Sequence, residues 1–130
     1  MIEGIEPFYQ QIGESIQGAI SEPWQRAAVE AIFFPQSSKY LGEYFTAENA
    51  PPKGFPVDLK VIQSFRGLRE LFKNAGKPLW CRARFELHSD GKFTMNWGYD
   101  DCDENGFAPF DEAKESERMR QARMRQGLAS

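Results

Sequence analysis

The sequence predicts an α+β fold, an antiparallel sheet of about four strands with helices packed on one face, in the order α-β-β-α-β-β-α. Three observations predict it. Two segments place apolar residues at helical spacing, one long stretch alternates apolar and polar residues either side of a turn signal, and a Pro/Gly-rich break separates the two halves.

The first helix is read from Ile5, Phe8, Ile12, Ile16 and Ala19, which share one stripe with Gln and Glu between them. It closes near Gly18 and again at Pro23. "WQRAAVEAIFF", Trp24 to Phe34, mixes helix-favouring alanines with a β-branched and aromatic end before Pro35. It is read as a strand because "KYLGEYFT", Lys39 to Thr46, follows "PQSS" as its hairpin mate. "AENAPPKGFP" reads as a loop in which nothing pairs. From Val57 the period is helical again, with Ile62, Phe65, Leu68, Leu71 and Phe72 on one face, Gly76 as the stop and Pro78 just beyond.

In "LWCRARFELHSDGKFTMNWGYD", Cys81, Ala83, Phe85 and Leu87 alternate with Arg82, Arg84, Glu86 and His88. After the turn, Phe93, Met95, Trp97 and Tyr99 alternate with Thr94, Asn96 and Gly98. Parity fixes the turn. A two-residue Asp90-Gly91 loop would set Leu87 against Thr94 and mix the two faces. A three-residue loop, Ser89-Asp90-Gly91 with Gly91 left-handed, pairs Leu87 with Phe93, Phe85 with Met95, Ala83 with Trp97 and Cys81 with Tyr99. The same parity puts Trp80 on the polar face, where it either folds over the sheet edge or anchors a partner. Beyond Pro109, acids (Asp111, Glu112, Glu115, Glu117) precede arginines (Arg118, Arg120, Arg123, Arg125), an order that suits the dipole of a third helix. Its apolar stripe is thin, so residues 118–130 are expected to fray at the end of a single domain, 1–130.

Composition narrows the function. Hydrophobic residues make up 41% and aromatic residues 14%, too rich for a disordered chain. A net charge of −3 makes free nucleic acid a poor default partner. The opening residues lack the basic stretch and apolar core of a signal peptide, and no apolar run approaches the roughly 20 residues that span a bilayer. Two cysteines, Cys81 and Cys102, make no disulfide framework, and free thiols suit a reducing cytosol. The expectation is a cytoplasmic protein with no membrane contact. The Lys39–Thr46 strand, as an exposed sheet edge, could support a homodimer.

No catalytic set emerges. His88 is the one histidine. Cys81 has the opposite parity on its strand, and Cys102 lies past the far end of the hairpin, roughly 30 Å from the turn at about 3.3 Å per residue. No phosphate-binding glycine loop, nucleophile elbow or paired zinc spacing is present. The expectation is no enzyme and no cofactor. "GYDDCDENGFAPFDE", residues 98 to 112, is dense in acids and fits a calcium-loop pattern, with Asp101, Asp103, Asn105 and Glu112 as oxygen ligands and Gly106 at the bend. Against metal stand an entering strand instead of a helix, Ala108 where a larger apolar residue belongs, Pro109 before the last ligand, and the lack of a second loop. A turn from strand to helix is the simpler account, and acids before a helix stabilise its N-terminus.

Taken together, "FYQQIGESI", "PWQRAAVEAIFF" and "LRELFKNAGKPLWCRARFELHSDGKFTMNWGYDD" resemble the YezG-like family of bacterial immunity proteins, small cytosolic antitoxins encoded beside secreted polymorphic toxins. The resemblance covers most of residues 8 to 101, after which an Arg-rich segment ending in "GLAS" departs from the family. It implies a protein that binds and neutralises a cognate toxin domain, a nuclease being the expected class. Nuclease toxins carry basic grooves for phosphate, and an acidic loop complements them. On that reading Asp100, Asp101, Asp103 and Glu104, flanked by Tyr99 and Phe107, form part of the contact, with Trp80 as a further anchor. The alternative is a calcium-binding regulatory or adaptor module using the loop 101–112.

Overall fold

The computed structural model describes residues 2–109. Its elements are α1 (Glu6–Ala19), β1 (Arg26–Phe33), β2 (Ser38–Phe45), β3 (Lys53–Phe55), α2 (Leu59–Asn74), β4 (Arg82–His88) and β5 (Phe93–Gly98). The strands form one sheet in the order β3-β2-β1-β4-β5, every neighbouring pair antiparallel. The α+β class is as predicted, with five strands rather than about four. The third helix and the fraying of 118–130 lie outside the described residues. Among the described residues no helix is long and apolar enough to cross a membrane.

Alternation along β1 builds the core. Ala27, Val29, Ala31 and Phe33 join Phe85 and Leu87 of β4, and all six are buried with Ile12 and Ile16 of α1 and Phe65, Leu68 and Phe72 of α2. α2 starts because the Asp58 carboxylate accepts from the backbone N–H of Val61 at 3.0 Å, satisfying a free donor of the first turn. It stops at Gly76, whose φ of +70° a side chain would resist. The two helices close on each other at Gly67, where an added Cβ would lie 2.3 Å from the Phe8 ring.

The hairpin register is the predicted one, with Leu87 opposite Phe93, Phe85 opposite Met95 and Ala83 opposite Trp97. Gly91 has a φ of +94° and donates its N–H to the His88 carbonyl, while His88 N–H reaches the Lys92 carbonyl at 2.8 Å. Three expectations need correction. The loop after Pro52 does pair, since β3 adds to β2 through Gly42↔Phe55 and Tyr44↔Lys53. β3 therefore covers β2 at Gly42–Tyr44, so the edge on which a dimer contact was expected, Lys39–Thr46, is open only in part. β4 also begins only at Arg82, so the strand parity does not extend to the two residues before it. Trp80 turns inward and is fully buried beside Phe33, Phe72 and Trp97, while Cys81 packs against Ile32, Phe34 and Ala108.

Lys53 holds the short β3 in place. Its ammonium and the Tyr44 hydroxyl both donate to the Glu22 carboxylate, at 3.1 Å and 2.6 Å. The Tyr44 hydrogen bond, then Lys53, pulls the Glu22 carboxyl below its ordinary 4.5. A depressed carboxyl contributes stability above its unfolded value and loses it as pH falls through the folded one. The parent protein is thus expected to lose more stability than Glu22→Gln between about pH 5 and about pH 3, read by urea unfolding. At the other end of the scale, the Glu22 hydrogen bond raises the Tyr44 phenol above 10.0, and that contribution is present below 10.0 and lost as pH climbs through the raised value.

Candidate functional site

After Gly98 the chain turns into the acidic loop and is fastened at three points. The first is covalent. Cys102 forms a disulfide with Cys81, 21 positions away in sequence, with Cα atoms 5.7 Å apart. This overturns the expectation of free thiols. Antiparallel pairing sets Arg82, at the start of β4, opposite Gly98, at the end of β5, so the residues just outside both strands meet at one end of the hairpin. The Cys81 N–H also donates to the Gly98 carbonyl at 3.1 Å.

The second fastening is internal to the loop. The Asp103 carboxylate accepts from the N–H groups of Asn105 and Phe107, each at 2.9 Å, and the Asp103 N–H reaches the Phe107 carbonyl at 2.8 Å. A short carboxylate that bonds its own backbone a few residues on holds a turn without help from a sheet. Gly106 completes the turn at a φ of +79°, and an added Cβ there would lie 2.4 Å from the Leu79 side chain.

The third is Arg69 of α2. Its Nη1 donates to the Gly106 carbonyl at 2.8 Å and to the Trp80 carbonyl. The guanidinium carbon sits 4.6 Å from the centre of the Phe33 ring and 4.9 Å from that of Phe107, with Trp80 also near. Only 9% of Arg69 is exposed, and burial pulls its pKa below the ordinary arginine value against the opposing pull of Asp103 and Glu70. Sequence reasoning missed this residue, although the signal was there. Arg69 stands four after Phe65 and three before Phe72, on the apolar side of the helix.

These fastenings sort the predicted partner residues. Tyr99, Asp100, Asp101, Asp103 and Glu104 are all exposed, and Phe107 is half-buried over Arg69. Asp101 has a φ of +56° and pairs with Arg82 at 3.1 Å. Asp103 is spent on the loop itself. Asp100 and Glu104 carry the charge that faces outward. Trp80 cannot touch a partner, because none of it is exposed. Of the proposed calcium ligands, Asp101 points to Arg82 and Asp103 to backbone N–H groups, and Glu112 lies outside the described residues. Among the described residues no group of three or more His, Cys, Asp or Glu could hold a metal ion.

The sheet face away from the helices is an ionic lattice. Arg84 pairs with Glu30 at 3.0 Å and with Glu43 at 3.1 Å, and Glu43 is only 2% exposed. Burial works against the Arg84 charge, but Glu30, Glu43 and Glu86 overcome it and raise its pKa above the ordinary arginine value. His88 lies half-exposed at the strand end, 3.9 Å from Glu86.

Two comparisons with known proteins bear on this site. The model of the family described as "Immunity protein YezG-like" matches residues 55–117, from β3 through the acidic loop. The chain is also 26% identical over 112 aligned positions to "Immunity protein YezG" of Bacillus subtilis (strain 168), covering 75% of this chain and 74% of that protein. The resemblance to the YezG-like immunity proteins read from the residues is borne out.

Two perturbations test the fastenings. Reducing the disulfide is expected to lower stability by about 3 kcal/mol, the chain-entropy value for a loop of this size, read as a shift in the urea midpoint. Arg69→Met is expected to cost about 2–4 kcal/mol, because it strands two carbonyls that a charged donor had satisfied, and to increase amide exchange at Gly106 and Phe107.

Proposed function

We propose that this chain, a relative of the YezG-like immunity proteins, binds and neutralises a cognate secreted polymorphic toxin by protein–protein contact, and that the toxin is a nuclease. The observation that carries the immunity role is the twofold similarity to proteins named for it. The choice of a nuclease rests on charge. Asp100 and Glu104 stand exposed on a loop clamped at both ends, beside the half-exposed ring of Tyr99. A preordered acidic surface loses little entropy on binding and speeds its encounter with a basic, phosphate-binding groove. A cytoplasmic site of action follows from this reading and not from the cysteines, which are joined.

Growth rescue tests the proposal. The toxic domain encoded beside this gene is expressed with and without the protein, and survivors are counted. Rescue together with a co-purifying complex is the expected result; an active toxin that kills regardless would end the immunity reading. Asp100→Lys with Glu104→Lys, both on exposed side chains, is expected to leave the fold intact and weaken the complex by about tenfold or more at low salt, with the difference shrinking as salt rises.

A further inference from the structure

The other end of the β4–β5 hairpin carries a second surface. A cleft of about 450 Å³ lies between α1 and the turn end of the hairpin. Its floor is Phe85 and Leu87, both buried. Its sides are Tyr9 and Phe93, with ring centroids 5.2 Å apart, and Phe93 stacks on Phe85 at the same distance. Phe93 nevertheless stays 45% exposed, a large aromatic left uncovered at the lip. Among the described residues that line the cleft, the charged ones are Glu6 and Glu14, both carboxylates. The first 25 residues, which include α1, hold four glutamates and no lysine or arginine, while Lys92 stands at the hairpin end between the lining residues Gly91 and Phe93.

Gly13 gives the cleft its depth. It sits inside α1 and lines the cleft, and a Cβ added there would meet nothing within 4 Å. Glycine inside a helix costs about 0.5–1 kcal/mol relative to alanine. Gly67 on α2 has a reason within the fold, because the Phe8 ring occupies the space a side chain would need. Gly13 has no such neighbour. The empty volume over it opens into the cleft, where an incoming side chain would lie.

We infer that this cleft seats an apolar side chain from a basic segment of the cognate toxin, with flanking lysine or arginine side chains reaching Glu6 and Glu14. The inference rests on the immunity reading and adds a contact surface to it. An apolar anchor would cover Tyr9 and Phe93, and the acids on the rim would select cationic neighbours. β5 runs from Phe93 at this cleft to Gly98 at the acidic loop, about 17 Å at roughly 3.3 Å per residue. Two patches that far apart fit within one interface of ordinary size, about 800 Å² on each partner.

The probe is the toxin domain that the parent protein rescues, and the variants are Gly13→Ala, Gly13→Leu and the double variant Glu6→Lys with Glu14→Lys. Gly13→Ala is expected to raise the melting temperature through helix propensity alone. Gly13→Leu fills the cleft from below, and is expected to keep the parental circular dichroism while weakening the complex by about tenfold or more, as loss of a buried anchor does. The double charge reversal is expected to weaken it comparably and to change its salt dependence, without filling the cleft. Parental affinity in both a folded Gly13→Leu protein and the double reversal would overturn the cleft while leaving immunity standing. A parent protein that neither rescues nor binds the toxin would overturn both.

Discussion

A single guanidinium joins the parts of this fold that the sheet does not. Arg69 comes from the middle of α2, yet its hydrogen bonds go to the carbonyl just before β4 and to one in the loop after β5. Neither carbonyl belongs to a strand, so neither has a ladder partner, and a buried unpaired carbonyl carries a desolvation penalty of about 1–3 kcal/mol. Arginine, with several donors in a fixed plane, reaches both while its flat faces lie against Phe33 and Phe107. Its charge is held by carbonyl dipoles and ring faces, with Asp103 contributing at longer range.

Charge plays two different parts in this chain. On the open sheet face, Glu30, Glu43 and Glu86 surround Arg84, and Glu86 also pairs with Arg26, so charges of both signs lie in contact. On the loop after β5 and along α1, carboxylates stand with few cations beside them. The first arrangement supports a half-buried sheet face; the second projects a field into solvent, which matters for encounter with a charged partner. The acidic loop is not uniform, however. Asp103 shapes it and Asp101 ties it to Arg82, which leaves Asp100 and Glu104 to face outward.

The elements with strict periodicity were legible in the sequence. The β4–β5 register followed from parity and one glycine, and α2 from five apolar residues and its terminal Gly76, because these patterns are local. The same register already placed Cys81 opposite Tyr99, three residues from Cys102, yet the pairing was read as free thiols from the count of cysteines alone. Geometry held the better signal. β3 was missed because three residues after two prolines carry no period of their own; its pairing depends on Tyr44 and Glu22, far away in sequence. Trp80 was misplaced by extending strand alternation past the point where the strand begins. At the candidate site, the acidic residues could be located but not sorted, since which carboxylate is consumed by its own backbone depends on the turn it makes.

The short β3 has a consequence for how this protein behaves in a crowded solution. Without it, β2 would end the sheet as an eight-residue strand with its outer N–H and C=O groups open to any passing chain. Lys53, Gly54 and Phe55 close only part of that length, but two prolines precede them and Pro56 follows, and proline can neither donate to a ladder nor extend one. A foreign strand approaching this side therefore meets a border too short to serve as a template and flanked by residues that block its growth. The clasp on Glu22 keeps that border in place. A change that frees β3 should thus be felt less in the core than in the tendency of the protein to assemble with copies of itself.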